Sequence, residues 1–253
     1  MKKHGGSFIG FAFAALVVLV VAFLARLTVY HPPEVHLAEP GEIGSSGVIT
    51  DGTQESIQRV EVTPDTVQLV IERLSRPDNY SRSVVIERFW TGGSGQSTAQ
   101  VRAADGWTRV DSGAEGSEAR HSVTGDGQCW IWYGDGESVF SGAAALSADE
   151  EQGIPTYENI LSINSALIAV ADYRLLDSVS CIYVETSPNA NGYSERWWVS
   201  VEDGLLAAAE RISDETLVYR MKGMTTELNS VTADAFTLPD GNILYDPAPV
   251  SHG

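Results

Sequence analysis

Side chains able to carry chemistry are few and scattered in this chain. Of the five histidines, His4, His31, His36 and His252 lie near the chain ends, and only His121 falls among patterned segments. No HExxH, GxSxG, phosphate-loop or dinucleotide fingerprint occurs. The Gly92-Gly93-Ser94-Gly95 run and the Gly-Asp-Gly triplets at 125–127 and 134–136 offer too few oxygen ligands for calcium, and hairpin turns explain them. Asp149-Glu150-Glu151 reads as a solvated loop. Cys129 and Cys181 lack a CxxC partner and make a poor redox or zinc centre. No catalytic residue, metal site or cofactor is therefore expected, and an exported enzyme has no supporting motif. The two cysteines keep two readings. Facing each other on neighbouring strands, they would close a loop of about fifty residues and stabilise by about 4 kcal/mol through lost chain entropy. Apart, they are two buried thiols. Asn79-Tyr80-Ser81 matches a glycosylation acceptor, a three-residue pattern that arises often by chance.

Residues suited to binding are more numerous. Val67, Ile71, Trp90, Trp130, Trp132, Tyr183, Trp197 and Val199 form a candidate apolar lining for a ligand cavity. For any one of them, simple core packing is the competing reading.

These residues are positioned by strands and by one clear helix. From Glu195 to Glu202, Trp197, Val199 and Val201 alternate with Arg196, Trp198 and Ser200, the period of a half-buried strand. Asp203-Gly204 supplies a tight turn, Leu205 to Ile212 returns, and Glu215 to Met221 extends the meander. An earlier meander is predicted over Tyr80–Thr91, Thr98–Ala104, Trp107–Asp111, Arg120–Thr124, Gln128–Tyr133 and Glu137–Ser141. Between them, 143–153 reads as irregular, and Thr156 caps a short helix through Ile163. Val67, Val70, Ile71 and Leu74 follow Thr63-Pro64-Asp65 at helical spacing, so an amphipathic helix must lie on one face of the sheet. A short strand at Ile57–Val62 precedes it. The residues after Pro239 lack periodicity, although Ile243–Tyr245 can dock.

The chain begins differently. Lys2 and Lys3 precede seventeen uncharged residues, Phe8 to Leu24, and the spacing of Ala22 and Ala25 suits cleavage poorly. A retained signal-anchor, favoured over the competing reading of a cleaved secretory signal, is expected over residues 1–31, with a Gly/Pro/Ser-rich linker over 32–56, a β domain over 57–240 and a tail over 241–253. The domain would then lie outside the cytoplasm on a single-pass membrane protein. Residues 32–253 hold 13 basic against 34 acidic residues, a net −21, with Lys222 the one lysine. Such a surface repels nucleic acid and anionic headgroups.

The run Gly125-Asp-Gly-Gln-Cys-Trp-Ile-Trp-Tyr133, the hairpin Glu195 to Glu210 and Ala235-Phe-Thr-Leu-Pro239 resemble the lipoprotein-carrier (LolA-like) superfamily over residues 57–240. The resemblance implies a mainly β fold: an antiparallel, strongly curved, incomplete barrel with one or two helices in its concave face. It further implies an apolar hollow holding acyl chains or a lipidated protein, or a regulatory relative that binds a lipoprotein or membrane protein; related folds serve as germination lipoproteins that escort a cell-wall amidase. An alternative reading fills the hollow with the domain's own side chains and binds another envelope or cell-wall protein. The retained anchor departs from the mobile carriers, and the absence of an acylation cysteine departs from the lipidated members; both favour a stationary binding or sensing role.

Overall fold

The computed structural model describes residues 61–247. The expected signal-anchor, the linker, most of the Ile57–Val62 strand and the last residues of the tail lie outside the described residues. Among those described, no helix is long and apolar enough to cross a membrane.

Among the described residues, eleven antiparallel strands form one sheet that is not closed into a barrel. The first meander comprises β1 (Asn79–Trp90), β2 (Gly93–Ala104), β3 (Trp107–Ala114), β4 (Arg120–Gly125), β5 (Gln128–Tyr133) and β6 (Phe140–Ala143). The second comprises β7 (Ile168–Leu176), β8 (Val179–Thr186), β9 (Tyr193–Ser200), β10 (Leu206–Ser213) and β11 (Thr216–Leu228). The two are joined where β1 pairs with β11, so β6 and β7 are the terminal strands. Asp105, Asp126, Asp177 and Asp214 take positive φ in the hairpin turns, the left-handed conformation these tight connections require.

One expected turn moves. Trp90 pairs with Gly93, so the chain reverses at Thr91-Gly92, and Gly93 and Gly95 belong to β2. The Trp90 indole lies across them: a Cβ on either glycine would come within 3.1 Å of the ring. These glycines serve as a seat for an aromatic ring rather than as a loop.

Three short helices lie on one face of the sheet: α1 (Val67–Glu72), α2 (Ala148–Glu151) and α3 (Tyr157–Ser162). Helix α1 starts later than Thr63 implies, because Thr63 and Pro64 sit in a preceding turn in which the Thr63 carbonyl accepts from the Thr66 and Val67 amides. Helix α2 was expected to be irregular. Its Ser147-x-x-Glu150 pattern forms a capping box, with Glu150 N–H donating to Ser147 Oγ at 3.3 Å and Ser147 N–H to Glu150 Oε2 at 3.2 Å. Helix α3 begins at Thr156, whose N–H donates to Asn159 Oδ1 at 2.7 Å.

Two apolar clusters result, one on each face. On the helix face, Val67, Ile71, Ile154 and Ile160 pack against Val84, Ile86, Val101, Val110, Ile182, Val184 and Met221. On the reverse face, the chain after β11 returns across β2 to β5, with Val231, Ala235, Phe236 and Leu238 packed on Ala104, Trp107, Val123 and Trp132. Residues just beyond Pro239 pack onto this cluster: Leu244 N–H donates to Phe236 O at 2.9 Å, and the Tyr245 ring stacks on Trp107 at 5.3 Å.

Candidate functional site

The registers divide the eight candidate lining residues between the two faces. Trp197 opposes Val184 and Ala209, and Val199 opposes Ile182 and Leu206, which places both tryptophan and valine on the helix face with Val67 and Ile71. Trp90 lies at the end of β1 and is 59% exposed, on its glycine seat. Trp130 and Trp132 oppose Val123 and His121 and belong to the reverse-face cluster. Tyr183 opposes Trp198 and also faces away from the helices. The structure therefore brings together four of the eight, Val67, Ile71, Trp197 and Val199. Period-two reasoning within one strand cannot say which face of another strand it joins.

The two cysteines do not pair. Both are free thiols, on β5 and β8, with seven strands between them in the sheet order. Cys181 is buried, and burial first, then Asp203, pushes its thiol up to about 11, which makes it unreactive. The Asn79 carboxamide is likewise unavailable as an acceptor: Nδ2 donates to Val231 O at 2.9 Å and Oδ1 accepts from Val231 N–H at 2.9 Å.

Beside Trp197 the helix face opens into a cleft of about 380 Å³. Trp197, Ala209, Ile154, Pro155 and Ile163 supply apolar walls, and Glu150, Glu195, Arg211 and Tyr219 a polar rim. Its geometry follows from the chain between α2 and α3. Gly153, at φ +68, turns the chain so that Ile154 enters the core, and Tyr219 Oη donates to Gly153 O at 3.2 Å, tying this loop to β11. Burial raises the Tyr219 phenol to about 12, against the lowering effect of Arg88 and Arg211, so it remains a donor through the physiological range. Across the rim Arg211 Nε donates to Glu195 Oε1 at 2.6 Å. Burial raises the Glu195 carboxyl, and its bond to Arg211 opposes that shift.

Below the rim, among the described residues, Asp149 on α2 is the most heavily buried carboxylate on this face, and its Oδ1 has no hydrogen-bond partner there. Burial raises it to about 6, with the nearby Arg82 guanidinium pulling in the opposite direction and Glu158 and Glu150 adding to the rise. Burial also lifts the neighbouring Tyr80 phenol to about 12.

Proteins of the LolA superfamily are among its structural neighbours. One, from Nitrosomonas europaea, is 11% identical with a TM-score of 0.34, the match covering 70% of this chain and 98% of that one. A MucA/MucB complex from Pseudomonas aeruginosa matches at 14% identity and a TM-score of 0.40, covering 67% of this chain and 57% of that one. MucB alone matches at 13% and 0.42, with 66% and 59% covered. No family model matches the chain, and no curated protein matches it.

The reverse face carries a second depression, of about 480 Å³, that sequence reasoning missed. It borders a row of alternating charge crossing five adjacent strands: Glu185, Arg196, Glu210, Arg220 and Glu87, each opposite the next in register. Contacts along the row run 3.1, 3.9, 2.9 and 3.6 Å. Tyr183 forms the floor but is closed off, 2% exposed beneath the Arg174 guanidinium at 3.5 Å. The ion pairs satisfy one another, so the depression presents few unspent donors or acceptors.

His121, the one histidine of the patterned region, also lies on the reverse face. Its Nδ1 is 2.6 Å from Asp111 Oδ1, and its ring stacks on Trp132 at 5.1 Å. Burial pushes the Asp111 carboxyl up, but Arg109, His121 and Arg102 outweigh it and hold it below the usual carboxylate range. Among the described residues no group of three metal-ligating side chains is present.

Proposed function

We propose that this chain is an envelope binding protein, held at the membrane by the Phe8–Leu24 segment, that grips an apolar side chain of a protein partner in the cleft beside Trp197. The observation that carries this reading is the state of the four lining positions that do converge. Val67, Ile71 and Val199 are 0% exposed and Trp197 is 4% exposed, all against the domain's own side chains. A hollow that stores a whole acyl chain would leave such residues bordering open volume. Here the interior is filled, and the remaining cleft lies near the small end of the 300–1,000 Å³ range typical of ligand pockets.

A single inserted Leu or Phe would gain about 1.5–3 kcal/mol from burial, enough to anchor an interface whose other contacts come from the rim. Glu150 and the Glu195–Arg211 pair present both signs of charge there, which suits a polypeptide flank better than a uniform headgroup. The apolar walls are also what an acyl chain would need, so the test must separate the two occupants. A photo-reactive benzoylphenylalanine at Ile163 of the full chain, irradiated in cells, should give an adduct of protein size. An adduct of lipid size, lost when Trp197→Ala is added, would overturn the proposal.

A further inference from the structure

We propose that the outer edge of β7 is the interface of a two-fold dimer, in which β7 pairs antiparallel with β7 of a second copy, centred on Tyr173. This surface is separate from the Trp197 cleft, and the inference stands without that reading. Among the described residues no strand pairs with the outer side of β7, so its backbone groups on that side are a template for another strand. The strand is nine residues long and contains neither proline nor lysine, two common devices against edge pairing. Its one irregularity, at Ala169, lies near the start and leaves Val170–Leu176 in regular register with β8.

The side chains favour a second copy as the occupant, and they select one register. Pairing with β8 places Ala171, Tyr173 and Leu175 on the helix face, and Val170, Asp172, Arg174 and Leu176 on the reverse face. Tyr173 and Leu175 are 51% and 67% exposed, an apolar strip along the edge that the helices leave bare. Two identical strands pair antiparallel about an axis normal to the sheet, so residues opposite each other lie on the same face. Centred on Tyr173, that arrangement sets Val170 against Leu176, Ala171 against Leu175, Tyr173 against itself, and Asp172 against Arg174 twice over. Moving the axis one residue either way opposes Asp172 to Asp172 or Arg174 to Arg174, and like charges directly opposite are destabilising. In a single chain Asp172 and Arg174 already contact each other, Nε to Oδ1 at 2.9 Å, and the Arg174 guanidinium also lies over the Tyr183 ring, so pairing across the edge redistributes contacts that exist within one copy.

Long-range charge points the same way. The chain carries a net −18, so most approaches of one copy to another are repulsive. Strand β7 holds one Asp and one Arg and is neutral, which makes it a place where two copies can meet without that penalty.

The test is a disulfide scan on the full chain in its membrane, in a Cys129→Ser, Cys181→Ala background. Opposed Cα atoms in an antiparallel pair lie about 4.5–5.5 Å apart, inside disulfide range, so Tyr173→Cys should give an oxidised dimer. Leu175→Cys lies about 13 Å from its counterpart in this register and should give almost none. Asp172→Arg in the Tyr173→Cys chain should abolish the cross-link by opposing two arginines, and adding Arg174→Asp should restore it. A Tyr173→Cys chain that stays monomeric overturns the proposal, as does a cross-link to a different protein, equal yield at positions 173 and 175, or a charge swap that fails to restore. Circular dichroism of each variant confirms that the exposed-edge substitutions leave the fold intact.

Discussion

Asp149 allows a prediction whose sign and size follow from the structure. Its carboxyl is buried under α2 with one oxygen unpartnered, and burial raises it from its ordinary 3.8 to about 6. The folded chain therefore holds this proton more tightly than the unfolded chain does. Stability contributed by the group must rise as pH falls from above the folded value towards the unfolded one, the reverse of a salt-bridged aspartate. Between about pH 7.5 and 4.5 a shift of this size gives about 2 kcal/mol. Asp149→Asn removes the titration and keeps the volume. It leaves Arg82 without its counter-charge at every pH, which offsets the curve without changing its slope. Chemical denaturation of parent and variant at a series of pH values should show the parent gaining about 2 kcal/mol on the variant as pH is lowered over that interval. A difference that stays flat, or that falls with acid, would refute the burial argument.

Two further predictions concern how the reverse face is held. At Gly125 a Cβ would fall 2.1 Å from the Trp107 ring, which is itself stacked between Trp130 and Tyr245, so Gly125→Ala should cost about 3–5 kcal/mol by forcing the indole out. In a Trp107→Ala background the same change should cost almost nothing, and thermal melts of the four chains read the coupling; additive losses would sink the steric explanation. Asn79→Ala should destabilise by at least about 2 kcal/mol, since it strands both the N–H and the C=O of Val231 in a buried setting. Urea titration checks it, and a loss under half a kilocalorie would mean that water replaces the carboxamide.

Local patterns in the sequence were enough for most of the strands, because alternation is a property of one segment and survives in any tertiary setting. Gln128 to Tyr133, most of Glu195 to Glu202, whose strand ends at Ser200, and the Asp-Gly turns read correctly, and α3 was legible from Thr156. Ser147-x-x-Glu150 was equally local and was there to be found. One local signal was misread because composition hides packing: Gly93 and Gly95 read as a turn until the neighbouring Trp90 ring is seen lying on them.

What the sequence by itself determined is a mainly β chain with few chemical groups, an acidic surface and a set of large apolar residues. Only the tertiary structure decided how that set is divided. Each strand fixes the parity of its own side chains, but the face that a given parity joins depends on pairing with strands far along the chain. That pairing sent Trp130, Trp132 and Tyr183 to one side and Trp197 and Val199 to the other. The same long-range order put seven strands between Cys129 and Cys181, and left β7, with its balanced Asp172 and Arg174, at the end of the sheet.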